Sequence, residues 1–140
     1  MLSRKRTVLD AIAAQFTGSK PGDMLRCTIH AADGIGSFTE SWLCIDCGAN
    51  TAPGFPDGPT LRRELTLKPE VPVYVDGTSE IYMVRARVWK QAGMKPFDGC
   101  LCILCFEARL ARKLRPKDFE PGHEFNIMPG TARLLGRRQR

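Results

Sequence analysis

Apolar residues recur along this chain at two periods, and the changes of period mark out its elements. Val8, Leu9, Ile12 and Phe16 return at steps of three and four, which predicts an amphipathic helix over 4–16. Gly18, Pro21 and Gly22 end it. MLRCTIHA (24–31) alternates loosely and reads as a strand. DGIG (33–36) is a turn signal, and SFTESWLCI (37–45) reads as a second strand paired with the first. Residues 50–72, NTAPGFPDGPTLRRELTLKPEVP, contain five prolines, which argues against continuous regular structure and predicts a long loop. Within it LRRELTL has the makings of a short helix or strand. SEIYMV (79–84) suits a pleated surface. RARVWKQAG (85–93) follows as a short helix ended by Gly93, with Val84, Val88 and Trp89 on its buried side. Trp89 is read as a core anchor rather than a base-stacking residue. MKPFDG (94–99) is a turn. Phe106, Leu110 and Leu114, four apart, predict a helix from Leu104 to Leu114 that Pro116 stops.

Composition narrows the class. At 140 residues with 43% hydrophobic and 26% charged positions, the chain suits one globular domain and excludes global disorder. No apolar run reaches the ~18 residues of a membrane span. The basic start of the N-terminus superficially resembles a signal peptide, but Asp10 interrupts an apolar stretch already too short, so a cytoplasmic protein is expected. The formal net charge of +6 is uneven: both ends are basic and the middle is mildly acidic. Solubility accounts for that equally well as contact with an anionic polymer such as nucleic acid.

Cysteine spacing carries the strongest chemical signal. Cys44 and Cys47 form one Cys-x-x-Cys pair, and Cys102 and Cys105 another. In a reducing compartment such pairs bind metal or do redox chemistry more often than they form structural disulfides. Two residues between thiolates allow both to reach one tetrahedral ion at ~2.3 Å, and two pairs supply the four soft ligands of a structural zinc site. Gly48 after Cys47 permits the left-handed turn of a zinc knuckle, and the second pair sits at a helix start, where the dipole favours thiolate. Knuckle first, helix start second, is the order of a treble clef. Four thiolates on one zinc would leave a charge that Arg109 and Arg112 offset in part. An iron–sulfur cluster, a redox pair without a thioredoxin-like setting, and disulfides are the alternatives. Cys100, two residues before Cys102, competes for a ligand position but is read as a buried or partner-facing thiol. Cys27 is read as a small strand hydrophobe.

DCG (46–48), EIYMVRARVWKQAGM (80–94) and GCLCILCFEARLARKLRPKDF (99–119) together resemble a group of small bacterial and phage-associated proteins. The resemblance spans Asp46 to Phe119, with residues 50–79 outside it. It implies a zinc-binding fold and brings no catalytic residues. Phe106 stands where it leads one to expect leucine. Ala111 stands where it leads one to expect glycine, which would alter close packing on that helix.

The expected fold is therefore α+β: a small zinc-stapled, treble-clef-like domain with an N-terminal helix and a long central loop. Its expected parts are a basic helix and linker (1–22), the zinc-binding domain (23–119) and a basic tail (120–140). The expected function is a regulatory, non-catalytic module that contacts nucleic acid through Arg109, Arg112, Lys113, Arg115, Lys117, Arg137, Arg138 and Arg140, aided by Arg4, Lys5 and Arg6. The alternative is a protein-interaction or assembly factor in which zinc only staples the fold. A treble-clef nuclease would need Asp98, Asp118 and His123 near the second helix. His30 and His123 are otherwise ordinary histidines, no glycine-rich phosphate loop is present, and DGIG lacks a third glycine.

Overall fold

A computed structural model describes residues 23–31, 40–95 and 98–139. The helix expected over 4–16 and the turn at 33–36 lie outside them. The described residues form a small mixed α/β protein of one two-stranded sheet and four α-helices.

Strand β1 (Leu25–His30) pairs antiparallel with β2 (Glu70–Val75), in a register that sets Leu25 against Val75 and Ile29 against Val71. Val71, Val73 and Val75 all point into the core, the period of two expected of a half-buried strand. Among the described residues the partner of β1 is thus β2 and not residues 40–45 of the segment expected to pair with it. Of that segment, Leu43 and Cys44 make only isolated bridges, to Asn50 and Cys100. The true partner lies at the end of the expected loop. Pro69 and Pro72 disguise it, but proline is tolerated on an edge strand, and in a two-stranded sheet both strands are edges.

The rest of that expected loop is a helix. In α1 (Gly58–Leu67) the carboxylate of Asp57 accepts from Thr60 N at 2.7 Å, and Pro59 stands in the first turn, where its missing N–H costs nothing. Leu61 on its inner side is fully buried. Gly54, just upstream, is required by space: a Cβ there would sit 2.0 Å from the carbonyl oxygen of Tyr74.

Residues 79–84 are buried throughout, yet apart from an isolated bridge of Val84 to Phe119 they form no strand. Their backbone groups find irregular partners instead. Glu80 N donates to Thr51 O at 2.7 Å, Met83 N to the Asn126 side-chain oxygen at 3.0 Å, and Glu120 N to Met83 O at 3.0 Å. Buried backbone must be paired, and here loops do it.

Helix α2 (Ala86–Gln91) and helix α3 (Ile103–Leu110) meet through aromatic rings. Trp89 and Phe106 lie 5.0 Å apart edge to face, and Tyr82 and Phe119 pack around them. Trp89 is buried, as the sequence led one to expect, and its indole N–H points at the sulfur of Met83, 3.2 Å away. The hydroxyl of Tyr82 donates to Leu101 O at 2.7 Å, which fixes the segment leading into α3.

α3 ends a turn earlier than the leucine spacing predicts. Ala111 adopts φ 56°, ψ 30°, and its N–H closes the helix on Ala108 O and Glu107 O. The consequence of alanine at this position is therefore backbone conformation, not packing: a left-handed cap favours glycine.

The tail is not a loose basic arm as far as the described residues reach. Two 3₁₀ turns (Pro116–Asp118 and Glu124–Ile127) lead to helix α4 (Ala132–Arg138), capped by Thr131. Phe125, Met128, Leu134 and Leu135 are buried.

Two stability changes follow. Ala111→Gly is expected to stabilise by ~0.5–1 kcal/mol, because a β-carbon in the left-handed region costs about that much or more. Phe106→Ala is expected to destabilise by ~3–5 kcal/mol through the cavity it opens among Tyr82 and Trp89. Urea denaturation of both variants beside the wild type measures each.

Candidate metal centre

The first Cys-x-x-Cys pair sits in a tight reversal of the chain. Cys44 N donates to Ala49 O at 2.7 Å, Gly48 N to Cys44 O at 2.8 Å, and Thr51 N to Trp42 O at 2.9 Å. Gly48 takes φ 80°, the left-handed conformation that the turn requires. The second pair opens α3. Cys102 is the N-cap residue, in extended conformation, and Cys105 lies in the first turn. Ile45 N donates to Cys100 O at 3.0 Å, which lays one segment beside the other.

These two local structures bring four sulfurs together. The Sγ atoms of Cys44, Cys47, Cys102 and Cys105 all lie within 4.8 Å of one another. Cys47 Sγ and Cys102 Sγ are 3.8 Å apart. A tetrahedron with Zn–S bonds of ~2.3 Å has sulfur–sulfur edges of ~3.8 Å, so this spacing fits a single ion. A disulfide needs a far shorter separation of ~2.05 Å, and the cysteines are free thiols. An iron–sulfur cluster interposes several atoms and needs a wider cage. Among the described residues this is the one group of three or more potential ligating side chains close enough to share an ion.

The electrostatics are those of a site built for a cation. Burial opposes ionisation of Cys44, but hydrogen bonds from the backbone of Cys102, Cys47 and Asp46 outweigh it and bring the thiol down to about 7. Burial pushes Cys102 up, helped by the sulfurs of Cys47 and Cys44 and opposed by hydrogen bonds from Cys105. Cys105 is pushed up by burial first and then by the other sulfurs. Without a positive ion, ionisation of one sulfur opposes ionisation of the next. A metal removes that conflict.

Cys100 stands outside the four: its Sγ lies 3.5 Å from Ser41 O. Cys27 is half-buried in β1. The nuclease candidates form no comparable cluster. The carboxylate of Asp118 is occupied by Arg112 and by Arg115 N, His123 Nδ1 accepts from Phe125 N, and Asp98 is exposed.

Several basic residues singled out in the sequence face inward to carboxylates. Arg109 grips Asp46 with two bonds of 2.8 and 2.7 Å and also donates to Ala92 O, tying the knuckle to α2 and α3. Arg112 grips the buried Asp118 at 2.8 and 3.1 Å. Arg137 grips Glu107 at 2.8 and 3.2 Å. Arg138 is half-buried, and desolvation lowers its guanidinium to about 10. Lys113, Arg115 and Lys117 are exposed, and Arg140 lies outside the described residues.

Sequence reasoning missed the part that four acids play in holding the arginines. Asp46, Glu80, Glu107 and Asp118 each hold an arginine, and the last three are buried. Asp46 could have been found, because it lies between the cysteines of its pair. The others depend on long-range packing.

No known family, curated protein or solved structure matches the chain. What fold and site define is a class: a small mixed α/β protein whose four convergent cysteines can hold one metal ion. No helix among the described residues is long and apolar enough to cross a membrane.

The Asp118–Arg112 pair yields a pH prediction. Burial would raise the Asp118 carboxyl, but the Arg112 fork and Arg115 N hold it below the usual range. Its contribution is present above the ordinary aspartate pKa of ~3.9 and is lost as pH falls through the lower folded value. Arg112→Ala leaves that carboxylate buried and is expected to cost about 3 kcal/mol at neutral pH. The gap to wild type should close as acid protonates Asp118, which urea melts at a series of pH values would record.

Proposed function

We propose that the chain is a zinc-stapled, treble-clef-like module in which the metal is structural, and that it contacts nucleic acid through a cationic rim. The observation that carries the first part is the convergence of four sulfurs within 4.8 Å. A shell of four thiolates has no open position for water, so hydrolysis at the metal is not part of this reading. The knuckle followed by a ligand pair at a helix start is the order that supports the treble-clef comparison. Zinc is favoured over other ions by its preference for tetrahedral sulfur ligands without redox change.

The rim differs from the basic set that the sequence suggests. Arg109, Arg112 and Arg137 hold carboxylates and are not in it. It consists of exposed Lys113, Arg115 and Lys117 after α3, with Arg87 and Lys90 on the exposed side of α2. The two segments adjoin: Arg85 N donates to Asp118 O at 2.8 Å, and Arg85 Nε to Lys117 O at 2.7 Å. Two acids that interact with the rim, Asp118 and Glu107, are already engaged by Arg112 and Arg137. Exposed cations on one face are what phosphate contact requires.

One observation supports a second reading, a protein-interaction module. Leu43 and Ile45 flank Cys44 and Leu104 lies between the second pair, and all three are exposed. A partner held there would stay bound at high salt.

Two experiments test these readings. Protein purified without added metal should carry one zinc per chain by elemental analysis, and Cys44→Ser/Cys105→Ser should lose the zinc and be measurably less stable to urea. Iron, or no metal at all, would sink the zinc assignment. Titration against a DNA or RNA duplex at several salt concentrations tests the rim. Lys113→Gln/Arg115→Gln/Lys117→Gln should lower the slope of log affinity against log salt by ~2–3. An unchanged slope removes the rim from the interface.

A further inference from the structure

One buried carboxylate joins the metal centre to the end of the chain. The N-cap residue of α3 is Cys102, and its side chain makes no capping bond. The first N–H of the helix, Ile103 N, goes to Glu80 Oε1 at 2.8 Å instead. The same carboxylate receives α4: Thr131 Oγ1 donates to Oε2 at 2.6 Å, and Arg133 donates to both oxygens at 2.6 and 2.9 Å. Thr131 is the N-cap of α4 and Arg133 lies in its first turn. Further along α3, Glu107 repeats the device, accepting Leu114 N at 2.7 Å and the fork of Arg137. The C-terminal helix is therefore held against the metal-bearing helix by two guanidinium–carboxylate forks, with Leu134 and Leu135 buried alongside.

We infer that α4 is a latch whose docking is coupled, through Glu80, to metal occupancy of the four-cysteine centre. This rests on reading the cysteines as a metal centre. Bound metal fixes Cys102 and Cys105, and with them the Ile103 N–H that Glu80 accepts. When the metal leaves, four crowded sulfurs lose the cation that holds them together, and the start of α3 loosens. Glu80 then loses one partner in a site where a buried carboxylate needs them all. The fork with Arg133 weakens, and α4 undocks. Linkage makes the effect reciprocal: undocking α4 must loosen the metal by the same factor. The freed helix carries Arg133, Arg137 and Arg138, which are engaged or half-buried when docked. Metal loss thus adds arginines to the cationic groups that the chain can present to a polyanion.

The test uses the full, zinc-loaded chain and Arg133→Gln, a position at the edge of the fold with a side chain 36% exposed. Zinc transfer to a chromogenic chelator should be ~5-fold faster or more in the variant. In wild type, zinc removal should speed trypsin cleavage after Arg137 and Arg138 by a similar factor, before cleavage after exposed Arg62 and Arg63 accelerates. Unchanged zinc transfer in a variant whose α4 has become trypsin-sensitive overturns the coupling. So does simultaneous opening of all four cleavage sites, which is general unfolding. Thr131→Val, which removes one bond to Glu80, gives the same readings if Arg133→Gln does not fold. A wild type that holds no zinc overturns the metal reading itself, whereas a failed coupling leaves zinc content normal.

Discussion

Four thiols held within 4.8 Å of one another cannot all ionise unless a cation sits among them. Much of the surrounding architecture follows from that constraint. The knuckle must reverse tightly enough to bring Cys44 and Cys47 to one side, which requires the left-handed Gly48. Cys102 must turn its sulfur to the cluster, so it cannot cap the helix it begins. A residue far away in sequence, Glu80, does that instead, and a buried carboxylate then needs its own cation, Arg133. The metal site, a helix cap and an ion pair are links of one chain of requirements.

The same logic explains where the positive charge goes. A chain of net charge +6 looks, in sequence, like one with basic faces to offer. Arg109, Arg112, Arg133 and Arg137 are instead matched one to one with Asp46, Asp118, Glu80 and Glu107. Surface pairs of this kind contribute little, but three of the acids here are buried and also accept backbone N–H groups. These arginines position helices. The cations left to solvent are a different set, and charge counts along the sequence cannot separate the two.

What was legible in the sequence was local. The cysteine pairs announced themselves by spacing, Gly48 by its place after Cys47, and Trp89 by its apolar neighbours. The pairing of β1 was not legible, because Pro69 and Pro72 mask a strand that is tolerable only at an edge, and being an edge is a property of the assembled sheet. Residues 79–84 have strand-like side chains but lie among loops and helix ends, so composition alone assigns them to a sheet that they never join. α3 stops at Ala111 although Leu114 continues its stripe. Leu114 is indeed buried, but it reaches the core from beyond the helix, with its N–H held by Glu107.

The two halves of the molecule are held by different means. β1, β2 and α1 rest on one another through Leu25, Ile29, Leu61 and the three inward valines, a contact of apolar surface with few charges. α3 and α4 are short helices, and helices below ~12 residues are marginal by themselves, as is an isolated two-stranded sheet. On the sheet side apolar packing makes up most of the deficit, beside exposed ion pairs such as Arg62–Glu40 that contribute little. On the helical side it takes guanidinium forks and the aromatic cluster together, and the second pair of candidate metal ligands, Cys102 and Cys105, stands at the start of the same α3 that the forks hold. Acid therefore acts first on the helical side, where the buried carboxylates Glu80, Glu107 and Asp118 lie, while the sheet side responds mainly to agents that weaken apolar burial. The part of the fold that carries the candidate chemistry is also the part whose stability depends on solution conditions.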